Sequence, residues 1–291
     1  MANNQYDWMY NQIPLDRLAQ VATQYKSRLY LHSLLALWYA TMNTRMKPFD
    51  NRDARLAVNY AIDRNDLVKL FGGPAVAVTT CQILPPGMPG YQPYCPFTEN
   101  PGAKWSAPDM TKAMAEMKKS GMTGQSVTII TQNSDPSHAI GIYLQSVLDK
   151  LGFKAKVKGI SSNLQFTYIQ NSNNHVQFAV TTWYQDYPAP SDFLNVLFSC
   201  KSFHPGSDNS INISAFCDKS IDTEMATAEL TSIKHPKQAD AMWSKIDKQI
   251  TDQAAVAPLF TPKHVDFVSN RLHHFVFSGQ TYFIPDLARV R

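Results

Sequence analysis

The stretch Pro48-Phe49-Asp50-Asn51-Arg52-Asp53-Ala54-Arg55-Leu56-Ala57-Val58-Asn59-Tyr60-Ala61-Ile62-Asp63-Arg64 carries the start and the stop of a helix in its own residues. Asp50 is placed to cap it, because its carboxylate can accept from the free amides of the first turn. Asp53 follows three residues on, where negative charge suits the helix dipole. Phe49 precedes the cap and can staple onto Ala54. Ala54, Ala57, Val58 and Ala61 recur at helical spacing and give a small apolar face for close packing. Asp63 caps a second helix, with Asp66 three on and Leu67, Val68, Leu70 and Phe71 inside it. Gly72-Gly73 ends it, since glycine takes the left-handed conformation at little cost.

Working outward, the chain's 291 residues suit one large domain or two modest ones. A hydrophobic content of 44% against 17% charged allows a buried core and excludes wholesale disorder. The net charge of +4 comes from scattered basic residues, densest at Lys118-Lys119 and at Arg289 and Arg291. That is no nucleic-acid patch, which needs basic residues focused on one face. Leu29 to Met42 is almost wholly apolar but too short to span a bilayer, so it reads as a buried strand or core segment. Residues 1–20 show no charged stretch followed by an apolar one, so they carry no signal peptide.

Residues 1–28 read as polar strand and turn ending in a helix or loop. Residues 74–108 are a long proline- and glycine-rich loop. Beyond it, a helix from the cap Asp109 to Lys119 closes at Gly121. Then come a strand at Ser126–Thr131 and a helix capped by Asp135-Pro136 with the stripe Ala139, Ile142, Tyr143, Ser146, Val147 and Leu151. A strand at Phe153–Ile160, a short helix near Ser162–Gln170 and a strand at Val176–Trp183 follow. This alternation is an α/β pattern with parallel crossovers. Short and long helices follow at Ser191–Phe198, Ser220–Leu230 and Pro236–Ala254, the last with the stripe Ala239, Met242, Trp243, Ile246 and Ile250. Val256–Thr261 and His264–Val268 read as two strands split by Pro262-Lys263, and Arg271–Ser278 as a last extended piece.

Four cysteines, Cys81, Cys95, Cys200 and Cys217, allow three pairings. The sequence-local pairing, Cys81 with Cys95 and Cys200 with Cys217, brackets two turn-rich loops. Four buried thiols in a cytosolic protein are the alternative. Loop-bracketing pairs in poorly structured segments are what an oxidising compartment uses, and disulfides are the favoured reading.

The usual enzyme signatures are absent: no G-x-S-x-G, no H-E-x-x-H, no P-loop and no G-x-G-x-x-G after a strand. His273-His274 is a poor metal pair, because neighbours on a strand point to opposite sides. No Cys/His cluster has zinc spacing, and no cofactor is implied. The most informative polar stretch is Trp183-Tyr184-Gln185-Asp186-Tyr187-Pro188-Ala189-Pro190. It lies at the C-terminal end of a predicted parallel strand, where open α/β sheets bind ligands. A carboxylate among three aromatic rings would seek a cation, either a ligand amine or a Lys or Arg of the protein. The same residues also describe a turn aspartate bonding its own backbone beside core aromatics, and on these residues alone that plainer reading is preferred.

A resemblance changes that balance. The opening stretch, with Asn43, Pro48, Phe49, Asp50, Arg55, Ala57, Ala61, Ile62, Asp63 and Arg64, resembles a segment of the family 5 bacterial solute-binding proteins, the peptide and nickel receptors of ABC importers. The similarity continues in order along the chain. Leu84-Pro85-Pro86-Gly87 with Gly90-Tyr91, the helix at 112–119 and the Leu-x-Lys-x-Gly helix end at 148–152 come first. Trp183-x-x-Asp186-Tyr187-Pro188, Leu197-Phe198-Ser199-Cys200, Cys217-Asp218, Asp252-Gln253 and Ala257-Pro258-Leu259 follow.

The resemblance implies an α/β lobe of the periplasmic-binding-protein type (type II, family 5), with a mixed, largely parallel sheet flanked by helices. It divides the chain into a first-lobe remnant at 1–28, a hinge crossing at 29–43 and a second lobe at 44–255. A hinge return with a first-lobe remnant fills 256–291. It implies capture of a solute between two lobes by hinge closure, delivery to ABC permease subunits, and no catalysis. It places the protein outside the cytoplasm, periplasmic or as a cell-surface lipoprotein, with its targeting segment and lipid anchor absent from this chain. The Leu-Phe-Ser-Cys … Cys spacing is similar to that of dipeptide-binding members, where these two cysteines are bonded.

In peptide-binding relatives the aspartate matching Asp186 meets the peptide's ammonium group, with Trp183, Tyr184 and Tyr187 beside it. Dipeptide binders carry an arginine at the end of the strand matching Ser126–Thr131, to hold the ligand's carboxylate. Here Thr131-Gln132-Asn133 stands there, and Ala189 replaces a second acidic residue. Gln132 and Asn133 are therefore read as polar ligand contacts, and a longer peptide or another amine-bearing polar solute fits better than a dipeptide. The alternatives are a nickel, metal-chelate or other non-peptide receptor, a signalling module without transport, and an enzyme on a related scaffold.

Overall fold

In a computed structural model, residues 1–9, 13–278, 282–283 and 289–290 are described. The helix pair of the opening stretch is α2 (Arg52–Ala61) and α3 (Arg64–Phe71), and it follows α1 (Leu15–Gln24). Asn51, not Asp50, caps α2: its side chain accepts from the amides of Asp53 at 2.8 Å and Ala54 at 3.2 Å. Both residue types cap well, so propensity alone does not separate neighbours. Asp63 caps α3 and Gly72, at φ +123°, closes it, as the sequence predicts.

The arginines of this stretch are internal clamps. Arg55 is buried and donates to the carbonyls of Phe49, Gln253 and Ala254. Arg64 is fully buried and donates to the carbonyls of Thr80, Pro258 and Asn59 and to Asn59 Oδ1. Burial pushes both guanidinium groups down to about 10, so both stay cationic at neutral pH. Five donors in a fixed fork let one side chain gather carbonyls from segments far apart in sequence.

Two of those carbonyls, at Pro258 and beside it at Thr80, tie Arg64 to a seven-stranded mixed sheet. Its strands are β1 (Leu29–Ser33), β2 (Ala36–Met42), β3 (Ala77–Thr79), β4 (Ser126–Gln132), β5 (Lys154–Ile160), β6 (Phe178–Tyr184) and β7 (Val256–Phe267). The order is β1-β7-β2-β6-β4-β5, with β3 also on β7. β4 pairs in parallel with β5 and β6; β2 is antiparallel to β6 and β7.

β2 is buried throughout, and its alternation feeds two cores. Trp38, Ala40 and Met42 join the core made with α2, α3, α4 (Met110–Ser120) and α5 (Ser137–Lys150). Leu37 and Tyr39 join the core made with α7 (Ser191–Phe198), α8 (Lys219–Lys234) and α9 (Pro236–Asp252). Helices thus cover both faces, as parallel strands require. A smaller cluster lies under α6 (Ser162–Gln170), with Ile130, Ile169 and Ala179.

Several expectations are corrected. The apolar run 29–42 is two strands, interrupted at Leu34 and Leu35. Val256–Phe267 is one strand that continues through Pro262. The proline falls where β7 changes partner, from β2 at Val256–Phe260 to β1 at Lys263–Phe267. A missing N–H is tolerated at such a junction. Within 1–28 the expected terminal helix is α1, and no strand precedes it among the described residues. On α5 the buried positions are Ser137, Ile140, Gly141, Leu144, Val147 and Leu148, and Ile142 is exposed. A Cβ at Gly141 would come within 2.3 Å of Thr131 Cγ2, so α5 rests on β4 through a glycine that an apolar count passes over. Of the expected terminal pieces, residues 10–12, 279–281, 284–288 and 291 lie outside the described residues.

Both sequence-local disulfides are present, Cys81–Cys95 and Cys200–Cys217. The first holds the proline-rich loop, which is fixed again by Tyr94 Oη donating to Asp252 at 2.6 Å. Asp247 on α9 is fully buried and fixes the same loop at its start. It accepts from Gln82 Nε2 at 2.6 Å and from the amides of Ile83 and Leu84.

Candidate functional site

β4, β5 and β6 run in parallel, so their C-terminal ends share one edge of the sheet. β7 outruns that edge and pairs beyond it with β1. The edge carries every residue that the sequence singles out for ligand contact. Trp183 and Tyr184 end β6, opposite Leu37 and Ala36 of β2. Asp186 and Tyr187 follow in the loop to α7, and Gln132 and Asn133 end β4.

Asp186 is exposed, and its carboxylate makes no hydrogen bond or ion pair with another described residue. It is therefore not the self-bonded turn aspartate of the plainer reading, and neither is it in a dry pocket here. Trp183 is half-buried and packs against the core under α7 and α9. Tyr184 and Tyr187 are about two-fifths exposed, at 42% and 41%. The Tyr187 hydroxyl accepts from Ser191 Oγ at 3.3 Å, and burial pushes its pKa up. The four residues thus lie on the end of β6 and the loop that follows it.

Gln132 and Asn133 stand on the same edge at the end of the neighbouring strand, and no hydrogen bond joins them to Asp186. The Gln132 amide donates to Ser137 Oγ and the Asn133 amide to the Ile160 carbonyl. Their backbone is fixed by its neighbours, and the Asn133 side chain is exposed to the edge. His273 and His274 are both exposed, and no group of three His, Cys, Asp or Glu residues suited to a metal occurs among the described residues.

Sequence reasoning missed Asp192. It lies in the first turn of α7 and is fully buried. Its Oδ2 accepts from the Asp186 amide at 3.0 Å and from Trp183 Nε1 at 3.3 Å. Its Oδ1 is buried without a hydrogen-bond partner. Burial pushes this carboxyl up to about 6; its hydrogen bonds oppose that, and the charge of Asp186 adds to it. The one local signal was an acid just after Pro190-Ser191, which reads as an ordinary first-turn residue.

No described helix is long and apolar enough to cross a membrane. Residues 1–205 match the family described as bacterial extracellular solute-binding proteins, family 5 Middle. The glutathione-binding protein GsiB of Salmonella paratyphi A is 25% identical over 285 residues, covering 96% of this chain and 52% of that protein. Among solved structures, clavulanic acid biosynthesis oligopeptide binding protein 2 superposes with a TM-score of 0.90 at 19% identity, over 99% of this chain and 53% of that one. The periplasmic binding protein DppA from Helicobacter pylori, in complex with the peptide STSA, gives a TM-score of 0.78 at 20% identity, over 99% and 53%. The chain spans about half the length of the curated relatives it matches.

Proposed function

This chain belongs to the family 5 bacterial extracellular solute-binding proteins, and from that premise we propose that it serves an ABC importer as a peptide receptor. The ligand is a peptide or a similar amine-bearing polar solute, captured between two lobes. Residues 44–255 form the second lobe, and the segments 29–43 and 256–268 are the crossings on which it closes. Asp186 takes the ligand's ammonium group, Trp183, Tyr184 and Tyr187 flank it, and Gln132 and Asn133 meet the ligand's polar backbone. No bond is made or broken; capture is conformational. The partners are permease subunits, and the protein acts outside the cytoplasm, held by a lipid anchor.

The observation that carries this reading is Asp186: an exposed carboxylate with no hydrogen-bond or ion-pair partner among the described residues, flanked in sequence by Trp183, Tyr184 and Tyr187, just past the edge where parallel strands end. Two disulfides and the family's extracellular description support the location. The crossings are supported by β7, which leaves the lobe at that same edge.

The test is calorimetry of the full chain with tri-L-alanine, beside its N-acetylated form. Asp186→Ala is expected to weaken the free-amine peptide by roughly 2–5 kcal/mol, the cost of stranding one partner of a desolvated charge pair. Asp186→Asn should recover part of it, and the acetylated peptide should be insensitive to both. Unchanged affinity in both variants would return Asp186 to the role of a turn residue.

A further inference from the structure

Asp192 is a fully buried carboxylate with one oxygen committed and one left over. The committed oxygen holds two groups of the loop that carries the ligand residues, the Asp186 amide and the Trp183 indole. Truncating it would free both at once. A buried acceptor without a partner is costly, and a helix-dipole role does not require full burial. The charges around it are all negative or absent. On its own loop stands Asp186, with the Tyr187 hydroxyl. α8 presents Glu229, whose carboxylate accepts from Asn195 of α7 at 2.9 Å. α9 contributes Trp243 and Ile246 to the shared core, while its Asp247 is turned to Gln82, Ile83 and Leu84. No lysine or arginine pairs with Asp192 among the described residues.

We propose that Asp192 is the positioning residue of this site: its carboxylate fixes the loop bearing Asp186, and its protonation is linked to whether Asp186 holds a cation. The inference rests on Asp186 being the ammonium contact. When Asp186 stands alone, its charge opposes ionisation of Asp192. When an ammonium neutralises Asp186, that opposition ends and Asp192 gives up its proton to solvent. Linkage is reciprocal, so a protonated Asp192 weakens ammonium capture. Binding then releases protons in mildly acidic solution, and affinity falls as pH drops through the midpoint of the empty protein, near 6.

The test follows the Trp183 indole N–H resonance in the full chain, labelled with ¹⁵N-tryptophan, between pH 4 and pH 8. Its bond to Asp192 makes it a reporter that needs no ligand. It should titrate with a midpoint near 6 and cease to titrate in Asp192→Asn, an isosteric change that keeps an acceptor. In Asp186→Asn the midpoint should drop by roughly one pH unit, and saturating tri-L-alanine should lower it similarly in the unaltered protein. A Trp183 titration that persists in Asp192→Asn, or a midpoint unmoved in Asp186→Asn, overturns the inference. A midpoint that falls in Asp186→Asn while tri-L-alanine leaves Trp183 unmoved upholds the coupling of the two carboxylates. It overturns instead the peptide reading. Tri-L-alanine that shifts Trp183 without moving the midpoint leaves that reading standing and overturns the linkage.

Discussion

Two buried acids on opposite ends of one helical core differ in how completely they are bonded. Asp247, under the proline-rich loop, has both oxygens occupied by Gln82, Ile83, Leu84 and Thr251. Asp192, under the loop that follows β6, has one oxygen occupied and one without a partner among the described residues. Arg55 and Arg64 belong with Asp247: every nitrogen of each donates to a carbonyl or to Asn59. A buried charge whose bonds are all made holds segments together. A buried charge with a bond to spare sits where something else must arrive or change.

The largest expected effect separates the two acids directly. Asp247→Ala strands a side-chain amide and two backbone amides inside the protein. It should cost roughly 3–5 kcal/mol in urea unfolding. Asp192→Ala, which strands one amide and one indole at a loop, should cost about 1–2 kcal/mol. Equal losses would erase the distinction.

Next come the disulfides, which hold loops on either side of the same core. Replacing Cys200 and Cys217 by serine should cost roughly 3 kcal/mol, set by the loop that the bond closes in the unfolded chain. Reducing agent should destabilise the unaltered protein by more than this, since it opens both bonds, and the double variant only through Cys81–Cys95. A loss under 1 kcal/mol would mean that hydrogen bonds such as Asp222 to the Cys200 amide already hold this loop.

The smallest effect concerns β1 and the end of β7 that pairs with it. There Asp266 accepts from Trp8 Nε1 at 2.6 Å and lies 3.2 Å from His264 and 3.9 Å from His32. Burial holds His32 below its ordinary value, with Asp266 opposing and His264 adding to the shift. A histidine whose folded value is lowered contributes stability that is complete above its unfolded value, near 6.5. That contribution fades as pH falls below 6.5 toward the folded value. The protection factors of β1 amides, corrected for intrinsic exchange, should accordingly fall between pH 7 and pH 5 while those of β6 hold, and His32→Gln should flatten the dependence. An unchanged slope in that variant would shift the sensitivity to another group.

What was legible in the sequence follows the same division between local and distant causes. Caps at Asp63 and Asp109 and stops at Gly72 and Gly121 were legible, because each acts on residues within four of itself. The disulfide pairing was legible because both pairs are sequence-local. The α/β order followed from alternating strand and helix periods, and so did the shared edge at which β4 and β6 end. The inward face of α5 was not legible. It rests on Gly141 and Ser137, where smallness rather than apolarity decides. The continuity of β7 through Pro262 depends on a change of partner strand that only the assembled sheet defines. The roles of Arg55, Arg64, Asp192 and Asp247 were hidden for one reason: their partners come together only in the fold. The stretch that carries the family resemblance thus owes its arginines to architecture.

The most direct test of this division is amide hydrogen exchange of the full chain with and without tri-L-alanine, at an occupancy fixed by calorimetry. The account predicts added protection at residues 183–187, where the Asp186 amide rests on Asp192, and at the end of β4. It predicts no change at Ile83 and Leu84, already held by Asp247. Protection confined to other parts of the chain, or none at 183–187 with ligand bound, would contradict it.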